Sequence, residues 1–431
     1  MAKYQQYEEY KDSGVEWLGE MPRHWIITKT SRFFKIAMGQ TILKEDLVDD
    51  GRLPVFSATE GNHYLGRINY ANVNLEKGDL VIPARGNSIG FVKIVEEPST
   101  TTQTTIYCKQ LFKEKLISKY VYYYFLGSKR YLFRFTQTAI PQITTEEVGN
   151  NTLIVPPVLE QHDIINFLDY QVIQIDTLIE KQQTLIQLLK EKRQAVISHA
   201  VTKGLNPDTP MKDSGVKWLG EVPEHWKIAK LKWKASTTSG GTPTTSKYED
   251  YYEDGYIPWI RTTDLNNDKL NETPVMITAK AVRDSACSLL PKNSVLLAMY
   301  GGAGSIGKHS LLNFESTINQ AVCGVLPSED FVPDYLHRFY EFYRPFWMIG
   351  AAGTRKDPNI GQDNIKEAKV LIPPLDEQKK VADYLDKMQG HFDSLTESAE
   401  KAIQLMQERR TALISAAVTG KIDVRGWRAS E

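Results

Sequence analysis

The sequence predicts an α/β protein: two mixed α/β domains separated by a pair of long antiparallel coiled-coil helices, arranged as an internal repeat with pseudo-twofold symmetry. Three observations carry that expectation. The fifteen residues "KDSGVEWLGEMPRHW" from Lys11 return as "KDSGVKWLGEVPEHW" from Lys212, changed at three positions. A Pro-Pro-x-x-Glu-Gln signal at Pro156–Gln161 returns at Pro373–Gln378, an offset of 217 that also carries Arg193 onto Arg410 and Ala200 onto Ala417. The segments after each Pro-Pro have apolar residues spaced alternately four and three apart, the seam of a coiled coil.

Taken in order, the chain divides into an N-terminal repeat segment 1–25, a first globular domain 26–152, a central helical region 153–204, a linker with the second repeat segment 205–226, a second globular domain 227–369 and a C-terminal helical region 370–431. The first seam is Leu168, Val172, Ile175, Ile179, Ile186, Leu189 and Val196, with Gln182 and Arg193 filling the remaining places. The second is Val381, Leu385, Met388, Phe392, Leu395, Ala399, Ile403, Met406, Arg410, Leu413 and Ala417, with Gly390 as a weak point. Gly204 and Gly420 punctuate the helix ends. Packing one seam on the other keeps both dry, and antiparallel pairing would bring the residues after Ala417 back to the N-terminal repeat, so that the chain reads as a ring cut once.

Each globular block holds short β-rich runs, "GDLVIPARG" and "TTIYCKQL" in the first, "NSVLLAMYGG" and "AVCGVL" in the second, bounded by Gly, Pro, Asn and Thr. Each also holds one helical stretch, "LISKYVYYYFLGSKRYLFRFT" and "VPDYLHRFYEFYRPFWMIG". Weaker echoes keep the 217 offset: "NSIG" with "GSIG", Gln103 with Gln320, "PQI" with "PNI". The blocks therefore share a fold and differ in surface residues.

Composition excludes several classes. Hydrophobic residues make up 41% and charged residues 24%, ordinary for a globular protein. No apolar run reaches the roughly 20 residues of a membrane span, and the polar start is unlike a secretory leader. Cys108, Cys287 and Cys323 form neither a disulfide framework nor a thiolate metal site, and fit a reduced cytoplasmic setting. No phosphate-binding G-x-x-x-x-G-K-[ST] loop is present. "VPPV" and "IPPL" lack the Asn or Asp and the aromatic of an adenine methyltransferase motif. "GAGSIG" at Gly302–Gly307 matches G-x-G-x-x-G but is expected to be a β-turn, because no helix signal follows. His24 and His225, each beside Trp, are expected to pack rather than catalyse.

The doubled "SGVEWLGEMPRHW"/"SGVKWLGEVPEHW", the Pro-Pro-x-x-Glu-Gln helix entries, "GSIG" and "INQAV" together resemble the DNA specificity subunit of type I restriction–modification systems. The resemblance implies a non-catalytic chain whose two globular blocks are target-recognition domains. Each would read one half of an asymmetric bipartite site in double-stranded DNA, while the helices set the spacer length and dock two methyltransferase subunits. Two restriction–translocase subunits would complete the complex. S-adenosylmethionine, ATP and Mg²⁺ would reside on those partners, with no cofactor or metal on this chain. A scaffold with duplicated binding domains and no DNA role is the alternative, and an enzyme built on the glycine loop a third reading.

Base reading requires Arg, Asn, Gln, Lys, Ser or Thr on exposed loops, and phosphates attract Lys and Arg. In the first block the candidates are Arg85, Asn87, Ser88, Gln103, Gln137 and Gln142, with Lys129, Arg130 and Arg134 for phosphates. In the second they are Thr242, Thr244, Ser246, Lys247, Arg261, Tyr300, Ser305, Lys308, Gln320, Thr354, Arg355, Lys356 and Asn359, Arg355 foremost for its Gly-Thr-Arg-Lys tip. Gln103, Gln320, Ser88 and Ser305 recur in both halves, where recognition should differ, so a structural role competes for them. Net charge is −1 overall, and the first block holds 16 basic against 12 acidic residues, the second 17 against 16.

Overall fold

The computed structural model describes residues 4–59, 61, 63–133, 141–301, 304–351 and 359–429. Among these the α-helices are, in chain order, α1 Ser118–Leu132, α2 Thr145–Asn150, α3 Val158–Lys203, α4 Tyr248–Tyr251, α5 Ala279–Asp284, α6 Pro333–Ala351, α7 Gln362–Glu367 and α8 Leu375–Val418. The chain folds as two units. The first joins residues 1–183 to 400–431, and the second is 184–399. Each long helix therefore gives one half to each unit. None of the described helices is long and apolar enough to cross a membrane.

The first unit opens with a ribbon, Tyr10–Asp12 against Glu20–Pro22, followed by Ile26–Lys29 antiparallel to Thr152–Val155. Its main sheet has the order Phe34–Met38, Thr105–Gln110, Leu80–Pro83, Lys93–Ile94, and a smaller one the order Gly66–Ile68, Leu53–Phe56, Thr100–Thr101. The second unit repeats this. Its ribbon is Met211–Asp213 with Glu221–Pro223, and Lys227–Lys230 pairs with Lys369–Ile372. A five-stranded sheet runs Thr237–Ser239, Val322–Val325, Val295–Ala298, His309–Leu312, Lys269–Leu270, and a three-stranded sheet Met276–Ile277, Ile257–Ile260, Thr317–Ile318. The runs read as β-rich in the sequence are the central strands. LVIP, VLLA and VCGV are buried along their whole length: one face packs in the core that holds the domain helix, the other in a cluster with strand residues of the smaller sheet, Phe56 in the first unit and Ile260 and Ile318 in the second.

The Glu-Gln pair after each Pro-Pro explains why the phrase is written twice. Glu160, 7% exposed in the first turn of α3, accepts from the Trp25 indole at 2.9 Å and the Tyr7 hydroxyl at 3.3 Å, and pairs with His24 Nε2 at 2.6 Å. In the second unit Glu377 accepts from Trp226 Nε1 at 2.9 Å and pairs with His225 Nε2 at 2.7 Å. Both carboxylates lie where the helix N-terminus favours negative charge. Gln161 spans Pro156 O and Lys115 O with its amide nitrogen and accepts from Ile117 N, so it ties α3 to the start of α1. Gln378 makes the same three bonds to Pro373 O, Asp330 O and Val332 N at the start of α6. His24 and His225, expected to pack beside their tryptophans, are partly exposed and each pairs with the helix-entry carboxylate.

Within each unit the two helix halves run antiparallel. In the first, the Tyr120 hydroxyl of α1 donates to Ile154 O, just before α3, and to Val418 O at the end of α8, while Arg410 of α8 forks onto Asp176 of α3. In the second, the Tyr335 hydroxyl of α6 reaches Leu371 O and Val201 O. A chain of ion pairs, Arg193–Glu341–Arg338–Asp386–Lys269, joins α3, α6, α8 and the sheet there. The first seam is buried or half-buried at every expected position from Leu168 to Val196. The second departs once. Leu395 is 39% exposed, and the neighbouring Thr396, its hydroxyl bonded to Phe392 O, takes the inward place. Gly390 sits inside unbroken helix with open space around it. Gly204 and Gly420 end the helices at φ of 77° and 72°, each against the tryptophan of its repeat.

The termini meet as the ring reading requires: Gln5 bridges Asp423, the Tyr10 hydroxyl donates to Gly420 O, and Trp427 packs edge-on against Phe167. Removing the shared acceptor should therefore loosen the first unit. Glu160→Leu strands a buried indole N–H and is expected to cost about 2–4 kcal/mol, Glu160→Gln less. Denaturant unfolding combined with amide exchange across Ile26–Lys29 and Thr152–Val155 measures this, and unchanged exchange in Glu160→Leu would refute it.

Candidate nucleic-acid interface

The sequence-derived candidates fall into two clusters in each unit. The first cluster surrounds the N/G-S-I-G turn. In the first unit Arg85 and Asn87 are exposed, and Arg85 bridges Gln142 while Gly86 N donates to Pro141 O. Arg130 is exposed, and the Lys129 ammonium lies 3.3 Å from the Phe91 ring centre. In the second unit Tyr300 is 36% exposed, Asn359 is exposed, and Ser305 and Lys308 are half-buried around the matching turn, which Ile360 N closes by donating to Met299 O.

The glycine that ends each motif has a packing role. Gly90 and Gly307 have φ of 74° and 68°, and a side chain at either would meet Phe133 or Trp347 at 2.7 or 2.8 Å. "GAGSIG" connects two antiparallel strands, Val295–Ala298 and His309–Leu312. A dinucleotide loop runs from strand to helix, whereas the strands on either side of this segment pair antiparallel.

The second cluster ties the loop after the first sheet strand to the recurring glutamine. Gln103 is half-buried and accepts from Ile42 N at 3.4 Å, and Gln320 is exposed and accepts from the Thr242 hydroxyl. Both act as loop anchors, which answers why they recur. Thr244, Ser246 and Lys247 are exposed, with the Thr244 hydroxyl capping Ser246 N.

Two candidates sit differently from an exposed reading loop. Ser88 is 6% exposed and donates to Ala58 O at 2.9 Å, because the tight turn points its hydroxyl inward. Arg261 forks onto Asp264 through Nε at 3.1 Å and Nη2 at 3.0 Å, and the hydrogen bond to that carboxylate raises its pKa further. Its Nε–Nη2 edge, one of the two forks that could read a base, is thus taken up. Arg134, Gln137, Thr354, Arg355 and Lys356 lie outside the described residues.

Sequence reasoning missed several groups. Lys93 is 1% exposed and donates to Ser57 O at 3.2 Å and Thr59 Oγ1 at 3.0 Å; burial pushes its ammonium down to about 8. Together with Ser88 it pins the loop at Ser57–Thr59. Its place in an apolar strand, "FVKIV", hid it. Arg344 holds the Gly304 carbonyl at 2.9 Å. Tyr70, Tyr256 and Trp233 are 87%, 70% and 66% exposed. Single exposed aromatics carry no pattern that a sequence reveals.

With the geometry in place, relatives can be compared. The family of the type I restriction modification DNA specificity domain matches the chain twice, at residues 22–190 and 223–405. The chain belongs to this family. Both matches begin in the repeated Trp segment and run into a long helix, so each family domain contains one Glu-Gln joint. The StySPI specificity subunit of Salmonella potsdam is 29% identical over 208 residues, covering 47% of this chain and 44% of that subunit, so this chain spans less than half of that relative. The MjaVIII specificity subunit of Methanocaldococcus jannaschii is 22% identical over 435 residues, covering 94% of both. A solved chain from a study of complex assembly and conformational transition of the type I R-M system has the same fold, with a TM-score of 0.71 at 12% identity over 92% of this chain and 98% of that one.

The second specificity domain also buries two histidines whose rings lie 4.7 Å apart, His309 on the sheet and His337 on α6. Burial, with Arg338 and Arg344 nearby, lowers the His309 pKa from 6.5 to about 3 and that of His337 well below 6.5. Both stay neutral in the fold but take protons once unfolded below about pH 6.5, so the unfolded state binds more protons there. Their contribution is complete above pH 6.5 and declines as pH falls toward 3. The melting temperature should drop from pH 7 to pH 5, and His309→Phe with His337→Phe should flatten that slope; an equally steep slope in the double variant would refute the assignment.

Proposed function

We propose that this chain is the non-catalytic DNA-reading subunit of a type I restriction–modification complex, each specificity domain recognising one half of an asymmetric, interrupted duplex site. The observation that carries this reading is the identity of the two scaffolds against the difference of their loops. The Glu-Gln joint, the ribbon and the order of the core strands repeat, while the loops carry Arg85, Asn87 and Gln142 in one domain and Tyr300, Lys308 and Asn359 in the other. A scaffold without a DNA role would not need loops bearing an amide and a cation in both domains. On this reading methyl transfer, with S-adenosylmethionine, and ATP- and Mg²⁺-dependent cleavage belong to cytoplasmic partners, two methyltransferase and two restriction subunits, and the helices dock the former.

Methylome sequencing of a host with and without the gene should reveal one bipartite motif that depends on it. Replacing residues 227–369 by the corresponding block of another member should then change one half-site and leave the other. If both half-sites changed together, the division of labour would be wrong.

The helices are proposed to set the number of unspecified base pairs. α3 and α8 are unbroken over 46 and 44 residues. A heptad added to each, in the half-buried stretch of α3 around Ile186 and its counterpart in α8, keeps the seam in phase and adds about 10 Å. At about 3.4 Å per base step, the spacer should grow by about three base pairs. An unchanged spacer in the methylome would sink the ruler role.

A further inference from the structure

The repeat supplies its own control for a vacant slot in the second unit. In the first unit Phe167 of α3 is fully buried under two aromatic rings from the chain ends, Tyr4 at 5.5 Å and Trp427 at 5.2 Å, and Trp427 also packs on Tyr170 at 5.3 Å. Nearby on α8, Leu413 and Ala416 are buried. At the 217 offset, Phe167 corresponds to Tyr384 on α8, and Leu413 and Ala416 correspond to Val196 and His199 on α3.

There the environment differs. Tyr384 is 38% exposed, His199 is exposed, and together with Lys192, Ala195 and Leu205 they line an open groove of about 610 Å³. The cause is the linkage of the chain. Two strands of chain, from the N- and C-termini, cover the slot in the first unit. In the second the chain is continuous from Gly204 to Pro210, and from that stretch Gly204 and Leu205, the latter 43% exposed, line the groove.

We propose that this groove is a docking slot for a segment of a partner protein that presents a tryptophan or tyrosine ring flanked by acidic residues. The ring takes the place that Trp427 fills in the other unit, where an edge-on contact with the aromatic floor adds to the apolar area removed from water. The acidic flank follows from the rim. Lys192 and His199 border the groove, and among the described residues neither is in an ion pair; Lys387 stands where the first unit has Tyr170. Among the described residues the slot is open in the second unit and filled in the first, so it breaks the equivalence of the two halves. This goes beyond the DNA-reading role and does not depend on it.

The probe is a fluorescein-labelled peptide copying Gly420–Ala429 with Lys421→Glu, Arg425→Glu and Arg428→Glu, titrated by anisotropy into the full chain. It should bind. Its Trp427→Ala version should not, and the unaltered basic sequence should bind more weakly. In the protein, Tyr384→Ala should weaken binding about tenfold, the equivalent of about 1.4 kcal/mol. Leu205→Trp, which fills the slot from within, should abolish it. Both positions are partly exposed, and unchanged circular dichroism and melting temperature would verify that the variants are folded. No binding, equal binding of the Trp427→Ala peptide, or binding indifferent to both protein variants would overturn the proposal. Sedimentation showing a dimer of the full chain that Tyr384→Ala dissociates would assign the slot to a second copy and overturn it as well.

Discussion

One carboxylate at the entry of each long helix, buried in the first half and half-buried in the second, governs the architecture. Glu160 and Glu377 sit in the first turn of the long helices and gather the tryptophan and histidine of the repeat segment, while the next residue, Gln161 or Gln378, holds the first turn of the domain helix through its backbone. Desolvating a carboxylate is costly unless its lone pairs are taken up. The arrangement is therefore cooperative: ribbon, helix and globular domain must come together for any of them to be satisfied. A displaced domain would leave a buried charge or a stranded indole N–H, and that fixes where each domain sits on its own stretch of helix.

Because this joint carries the orientation, the loops are released from structural duty and free to diverge. The exceptions mark the limit of that freedom. The glycine of the N/G-S-I-G turn lies against an aromatic of the domain helix, the recurring glutamine anchors the neighbouring loop, and Lys93 and Ser88 pin a third loop from below. The recurring positions hold loops in place. The residues particular to one half, Arg85, Asn87 and Gln142 in the first and Tyr300, Lys308 and Asn359 in the second, are exposed or half-buried at the turn. Recognition would then lie in the second group and be steadied by the first.

The two units also solve the same packing problem by different chemistry. In the second, a buried arginine, Arg338, with 3% of its surface exposed, links α3 and α8 to α6 through Glu341 and Asp386. In the first, Asp169 takes Lys119 and the Tyr123 hydroxyl, and Arg410 pairs with Asp176. The positions of Arg410 and Asp169 correspond to those of Arg193 and Asp386, so the anchor points are retained while their partners have changed: Arg410 pairs with the long helix α3, whereas Arg193 pairs with the domain helix α6.

The repeat, the long helices with their terminal glycines, the central strands and the family are legible in the order of residues, because each rests on local periodicity or on a doubled phrase. Such patterns are one-dimensional and survive in the order of residues. Only the tertiary structure decided that Ser88 faces inward, that Arg261 is engaged by Asp264, that Lys93 and Arg338 are buried, and that Leu395 leaves the seam to Thr396. Those outcomes depend on which distant group supplies a hydrogen-bond partner or excludes water. No spacing along the chain encodes that, since the free energy of a polar side chain is set by its neighbours in space.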